Sequence, residues 1–138
     1  MLWTIRQLLT QLSRKQGGQA LVELALLLPI LVVFLFGIIE FGRVFNAYLV
    51  VNHASREGVR AGVVGASDAE ITQRVNDSTR ILNQQNLTIT ISPDSFRRDR
   101  GAPLIVQVDY QVPIFAPVIG SVLQNPFPVS SRTVMRME

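Results

Sequence analysis

Cysteine is absent from this chain of 138 residues, and histidine occurs once. Without cysteine there is neither a disulfide framework nor a thiolate metal site, although the compartment stays open, since an extracytoplasmic domain can fold without disulfides. His53 has no carboxylate or thiol at metal-ligand spacing and reads as a helix-surface residue. Asp94, Asp99 and Asp109 are too scattered for an EF-hand or a pair of catalytic acids, and read as solvated loop or strand residues. No Gly-x-Ser-x-Gly elbow, Walker loop or dinucleotide fingerprint occurs, and nothing groups a serine with the histidine and an aspartate. The expected protein is therefore not an enzyme and takes no cofactor, metal or small-molecule substrate.

Charge is scarce and unevenly spread. The formal net charge is +3. Arg6, Arg14 and Lys15, in an N-terminal stretch free of acids, account for all of that excess, so the remainder is neutral. The one dense basic cluster beyond them is Arg97, Arg98 and Arg100, with Asp99 among them in a loop. Nucleic-acid binding needs a contiguous basic face, and none is expected here.

What the chain does have is a long apolar run. From Ala20 to Ile39 only Glu23 is charged. About 20 residues at about 1.5 Å rise cross the ~30 Å hydrocarbon core of a bilayer. A cleaved secretory signal would have a shorter apolar region and a small-x-small site after it; here the run continues straight into Glu40-Phe41-Gly42-Arg43, so it reads as retained. Leu2, Ile5, Leu8, Leu9 and Leu12 recur at helical spacing ahead of it, as in an amphipathic helix lying on the membrane surface. The basic leader sets the N-terminus inside by the positive-inside rule, and the rest of the chain then faces out. A carboxylate at bilayer depth costs about 2.5–3.5 kcal/mol on insertion scales. Glu23 has two accounts on these grounds: a functional acid that needs a partner, or an interfacial glutamate reaching water at the helix end.

Beyond the run, Phe41, Val44, Phe45, Tyr48, Leu49, Asn52, Ser55, Arg56 and Val59 continue the helical period to about Val64. Pro29, Gly37 and Gly42 mark expected bends. Glu40 with Arg43, and Glu57 with Arg60, are spaced as i,i+3 ion pairs on the exposed face, the first of them at the membrane interface. Gly58 and Gly62, with Ala54 and Ala61, make a small-residue stripe read as close packing of the helix on its own sheet in preference to a contact with another subunit. Gly62 and Gly65 close the helix. Ser67 and Glu70 form a capping box for a second helix carrying Ile71, Val75, Ile81 and Leu82 and ending at Gln84-Gln85-Asn86. Strands are expected at Leu87–Ser92, from Leu104 to Val112 and from Val129 to Met137, with an exposed loop from Pro93 to Pro103 and a helical turn from Val118 to Leu123. The fold class is α+β: a long N-terminal transmembrane helix, a short second helix and a small antiparallel sheet of about three strands.

With these pieces in place the chain resembles the TadE-like minor pilins, or pseudopilins, of tight-adherence (Tad/Flp) pilus systems. The residues that carry the likeness are Gly18-Gln19-Ala20-Leu21-Val22-Glu23 running to Leu28-Pro29, then Gly37-Ile38-Ile39-Glu40-Phe41-Gly42-Arg43, Ala54-Ser55-Arg56-Glu57-Gly58-Val59-Arg60-Ala61, and the terminal Met135-Arg136-Met137-Glu138. The likeness is specific from Gly18 to Ala61 and looser in the sheet. It implies a pilin-like fold, cutting between Gly18 and Gln19 by a prepilin peptidase on the cytoplasmic side, and a role for Glu23 in neutralising the new amine of a neighbouring subunit. The implied layout is a leader over residues 1–18, a transmembrane segment over 19–40, a soluble helical extension over 41–65 and an extracytoplasmic α+β domain over 66–138. The implied partners are the peptidase, other pilins or pseudopilins, the Tad secretion platform and the cytoplasmic membrane, with incorporation into a surface pilus open. The competing reading is an unprocessed, single-pass anchored binding module of an envelope complex.

Overall fold

A computed structural model of the chain describes the backbone of residues 2–138 and the side chains of residues 18–116 and 119–138. The amphipathic positions from Leu2 to Leu12 and the charges Arg6, Arg14 and Lys15 lie outside the described side chains. The chain divides into two units, residues 1–38 and 39–138. The order of elements is helix α1 (Leu2–Val63), helix α2 (Asp68–Ser78), strand β1 (Leu87–Ser92), strand β2 (Pro103–Val112), helix α3 (Pro117–Val122) and strand β3 (Phe127–Arg136). The architecture is the expected α+β one.

In the first unit α1 carries only apolar residues and glycine from Leu24 to Ile38 apart from Pro29, which it passes through as helix. From Gly18 to Phe36 every described residue is exposed. A helix of this length and composition, within Gly18–Val63, is long and apolar enough to cross a membrane.

The second unit holds the core. Strands β1, β2 and β3 form an antiparallel sheet in that order, with β2 central. The register places Ile89 opposite Val108 and Ile91 opposite Val106, and sets Tyr110 against Val129 and Val106 against Thr133. Because side chains alternate along a strand, this register brings Leu104, Val106, Val108, Tyr110 and Val112 onto one face, and all five are buried. That face meets Ala47, Val51, Ala54, Val59 and Val63 of α1 and Ile71 and Val75 of α2 in one cluster.

The helix comes so near the sheet because it is narrow there. A Cβ at Gly58 would lie 2.7 Å from Val75, and one at Gly62 would lie 2.3 Å from Leu104 and 2.8 Å from Ile71. The small-residue stripe is thus packing within the chain, as its spacing suggested. Gly62 belongs to the helix interior, and Gly65 alone supplies the stop. With φ near +100°, Gly65 donates its N–H to Gly62 O at 3.0 Å, and Ala66 donates to Ala61 O at 3.2 Å. That pair of bonds satisfies the last carbonyls of α1 through a left-handed residue, a geometry that favours glycine.

The capping box at α2 is present: Glu70 N–H donates to Ser67 Oγ, and Glu70 Oε2 accepts the Ser67 N–H at 2.8 Å. Glu70 consequently has its pKa lowered, first by the backbone bond from Ser67 and second by the Ser67 hydroxyl. The helix itself is shorter than the expected span to Gln84. It ends at Ser78, leaving Ile81 exposed and Leu82 in the following turn. Ser78 Oγ donates to Arg74 O and Thr79 Oγ1 to Val75 O, at 3.0 and 2.9 Å. Two hydroxyls bonding back to carbonyls one turn earlier weaken continuation and favour a stop. Ser55 is buried, with its hydroxyl 2.9 Å from Ser131 Oγ and 2.8 Å from Thr133 Oγ1. These bonds satisfy the polar members of the inward face of β3.

Candidate functional site

The N-terminal candidates sit on a single exposed helix. Gln19 Nε2 donates to Glu23 Oε1 at 3.3 Å, one turn along. Leu21, Val22, Leu24, Leu26 and Leu27 around them are exposed. Among the described residues no ion pair includes Glu23. A Cβ built on Gly18 meets nothing within 4 Å. Glycine inside a helix costs about 1 kcal/mol relative to alanine, and at Gly18 no contact within the described chain requires it. Over residues 18–36 the arrangement offers one carboxylate, one amide and one bare backbone position on a surface that is otherwise hydrocarbon.

Glu40 and Arg43 occupy a different setting. The pair exists, with Arg43 Nη1 donating to Glu40 Oε2 at 2.7 Å. It is not the solvent-facing pair that its spacing suggested, because Glu40 is only 6% exposed. Its other oxygen, Oε1, accepts the backbone N–H groups of Phe115 and Ala116 at 2.9 and 3.1 Å. The Arg43 guanidinium lies 4.3 Å from the centroid of the Phe115 ring. On the far side of the same segment, Asn125 Oδ1 accepts the Ile114 N–H at 3.1 Å and Asn125 Nδ2 donates to Ile114 O at 3.0 Å.

These bonds explain how an irregular stretch can sit on the core. Residues between β2 and α3 have no strand to take their backbone donors, and buried donors must be satisfied. A carboxylate takes two of them, with an arginine to offset its charge. Sequence reasoning saw the i,i+3 spacing and missed the partners 75 and 76 residues away. The available signal was the pair Pro113 and Pro117, which bracket backbone groups that no regular element can serve.

The basic cluster of the 93–103 loop is also rearranged. Arg98 turns inward and pairs with Asp68, donating in addition to Ala66 O at 2.9 Å and Pro93 O at 3.1 Å. Burial pushes its pKa down from the usual arginine value by desolvation. Arg97 and Arg100 remain exposed, so the triplet does not act as one basic patch. His53 lies on the exposed side of α1.

The family model described as TadE-like protein matches residues 18–60. The match starts at Gly18 and covers Glu23, Glu40 and Arg43, so the likeness drawn from Gly18 to Ala61 holds over the segment that carries it. No curated protein and no solved structure matches the chain.

Proposed function

We propose that this chain is a membrane-inserted minor pilin or pseudopilin that supports assembly of a Tad/Flp-type pilus used in adherence. Residues 1–18 serve as the leader, residues 19–40 span the cytoplasmic membrane, residues 41–65 extend the helix, and residues 66–138 complete the extracytoplasmic domain. A prepilin peptidase cuts between Gly18 and Gln19 on the cytoplasmic side, where a residue without a side chain allows close approach to the peptide bond. The observation that carries the reading is Glu23, an exposed acid with no cation partner among the described residues, set among exposed leucines within the segment that the TadE-like model matches.

Cleavage creates an α-amine on Gln19, one helical turn from Glu23. In lipid the two charges are each costly, and pairing an amine with the carboxylate of a neighbouring subunit offsets much of that cost, which either charge left alone would carry in full. The Gln19 amide that approaches Glu23 within the monomer is a neutral partner that such a contact would displace. The chain acts by occupying a place in an assembly, with other pilins or pseudopilins and the secretion platform as its neighbours.

Glu23→Gln tests this. A neutral amide is cheaper in lipid, so insertion and cleavage survive, while the unpaired amine costs about 3 kcal/mol in the assembled state. The expected mutant is cut after Gly18 by intact-mass measurement, is found in the membrane, and neither supports piliation nor co-purifies with pilin-like partners. Wild-type piliation in that strain would reduce Glu23 to an interfacial residue. An uncut N-terminus on the wild-type protein, in cells with a working peptidase, would favour the unprocessed anchor instead.

A further inference from the structure

No charged residue occurs between Asp109 and Arg132. Within that stretch the segment from Pro113 to Leu123 is two-sided. Ile114 and Ala116 are buried against the domain, while Phe115 and Val122 are 72% and 80% exposed and Leu123 is exposed beside them. Water is a poor solvent for such a surface, and large apolar side chains exposed together in one uncharged segment point to a contact.

The hydrogen bonds fix where this patch stands along the chain. Phe115 and Ala116 are held by the carboxylate of Glu40, and Glu40 is the residue that follows Ile39, the last of the apolar run. A bilayer that takes up the run from Ala20 to Ile39 therefore has the Phe115 segment at its surface, within the reach of one glutamate side chain. The same bonds cover the Glu40 charge with protein, so no bare carboxylate stands at that level. Arg43 stacks on Phe115 at 4.3 Å, a cation laid along an apolar plate, which is the pattern of side chains that lie at a lipid boundary. Phe41, which follows Glu40 in the chain, and Phe45 are also exposed on α1.

We infer that the segment from Pro113 to Leu123 is a second membrane contact, a foot that rests in the headgroup and upper acyl region of the leaflet from which α1 emerges. It rests on the membrane-anchored reading above. Its partner is the lipid surface itself. The foot makes the Glu40 clamp a device that holds the domain to the leaflet at a set height and rotation, which a helix alone would leave free to vary.

The chain has no cysteine, so single substitutions give clean labelling sites. Phe115→Cys and Val122→Cys report the foot, Leu28→Cys reports the apolar run, and Phe96→Cys, at a position 99% exposed in the 93–103 loop, is the aqueous control. Each full-length variant carries an environment-sensitive dye and is reconstituted at low density into phosphatidylethanolamine–phosphatidylglycerol vesicles. The expected result is blue-shifted emission at positions 115 and 122, reduced roughly twofold by a quencher attached to the lipid near its headgroup, as for interfacial segments. Position 96 should answer only to a water-soluble quencher. The Val122→Cys probe carries the test if Phe115→Cys loosens the Arg43 stack. Positions 115 and 122 behaving like 96 while 28 is lipid-quenched would overturn the foot and leave the anchor standing. Failure of lipid quenching at position 28 would overturn the anchor and the foot together. Shielding of 115 from both quenchers that vanishes on dilution with excess lipid would assign the patch to a second copy of the chain, against the inference.

Discussion

Two stretches of the same helix behave in opposite ways. From Ala20 to Phe36 α1 has no buried residue although nearly every one is apolar, whereas from Glu40 to Val63 it buries Ala47, Val51, Ala54, Ser55, Gly58, Val59 and Gly62. The upstream stretch carries large side chains all round, with no polar side to turn to water, the composition of a segment solvated by lipid or by other chains. The downstream stretch carries small residues on the buried side, because that side must meet a strand and a second helix at close range. Helical backbone is common to both. Side-chain size and its distribution around the axis decide which part joins the folded domain and which part remains available for membrane and neighbours.

The largest expected effect comes from breaking the close approach. Gly62→Leu would force a branched side chain into space already held by Leu104 and Ile71, and overpacking of this kind costs about 3 kcal/mol. Thermal unfolding of the full-length protein in detergent should show the sheet domain melting well below wild type. Leu27→Ala, in the stretch with no core neighbours, should leave that transition where it was, within about 0.5 kcal/mol. A domain transition lowered equally by Leu27→Ala would remove the distinction between the two stretches.

A smaller effect is expected at their junction. Glu40→Ala strands the Phe115 and Ala116 donors and leaves Arg43 without its counter-charge, at a cost of about 2 kcal/mol. Amide hydrogen exchange at residues 115 and 116 should accelerate far more than exchange along β2. Glu40→Gln retains an acceptor for the two N–H groups and should fall between. If exchange at 115 and 116 is unchanged in Glu40→Ala, the clamp contributes nothing to holding that segment.

The smallest effect is confined to the folded domain and depends on pH. Glu70 has a lowered pKa in the folded state, so its contribution is present above the ordinary glutamate range and is lost as pH falls through the folded value beneath it. Acid should therefore loosen the first turn of α2, read as faster amide exchange there, while α1 between Ala20 and Ile39 keeps its helical signal. Ser67→Ala should remove about 1 kcal/mol at neutral pH but only soften that acid dependence, because the backbone N–H that lowers the Glu70 pKa most is kept, whereas Glu70→Gln should abolish it. An equally steep acid dependence in Glu70→Gln would assign the titration to another group.

Much of this was legible in the residues because the signals are local. The apolar run, the Ser67–Glu70 box, the alternation of β2 and the glycine stop at Gly65 each depend on neighbours within a few positions, where backbone geometry sets the period. The TadE-like segment was legible for the same reason, since Gly18, Glu23, Glu40 and Arg43 lie on one continuous helix. The early end of α2 was less so, because two hydroxyls competing for carbonyls leave the apolar spacing through Leu82 intact.

The sequence by itself determined which stretch of α1 has no polar side and which has a stripe of small residues, since both follow from composition read at 3.6 residues per turn. Only the tertiary structure decided what the charged residues do. Glu40 was spaced for a surface pair and instead receives two backbone donors from a segment 75 residues on; Arg98 stood in a basic triplet and instead pairs with Asp68 under the loop. The reason is physical. An apolar side chain seeks burial against any apolar surface, so its pattern suffices, whereas a charge is placed by the particular donors and acceptors that reach it, and those arrive from elsewhere in the chain.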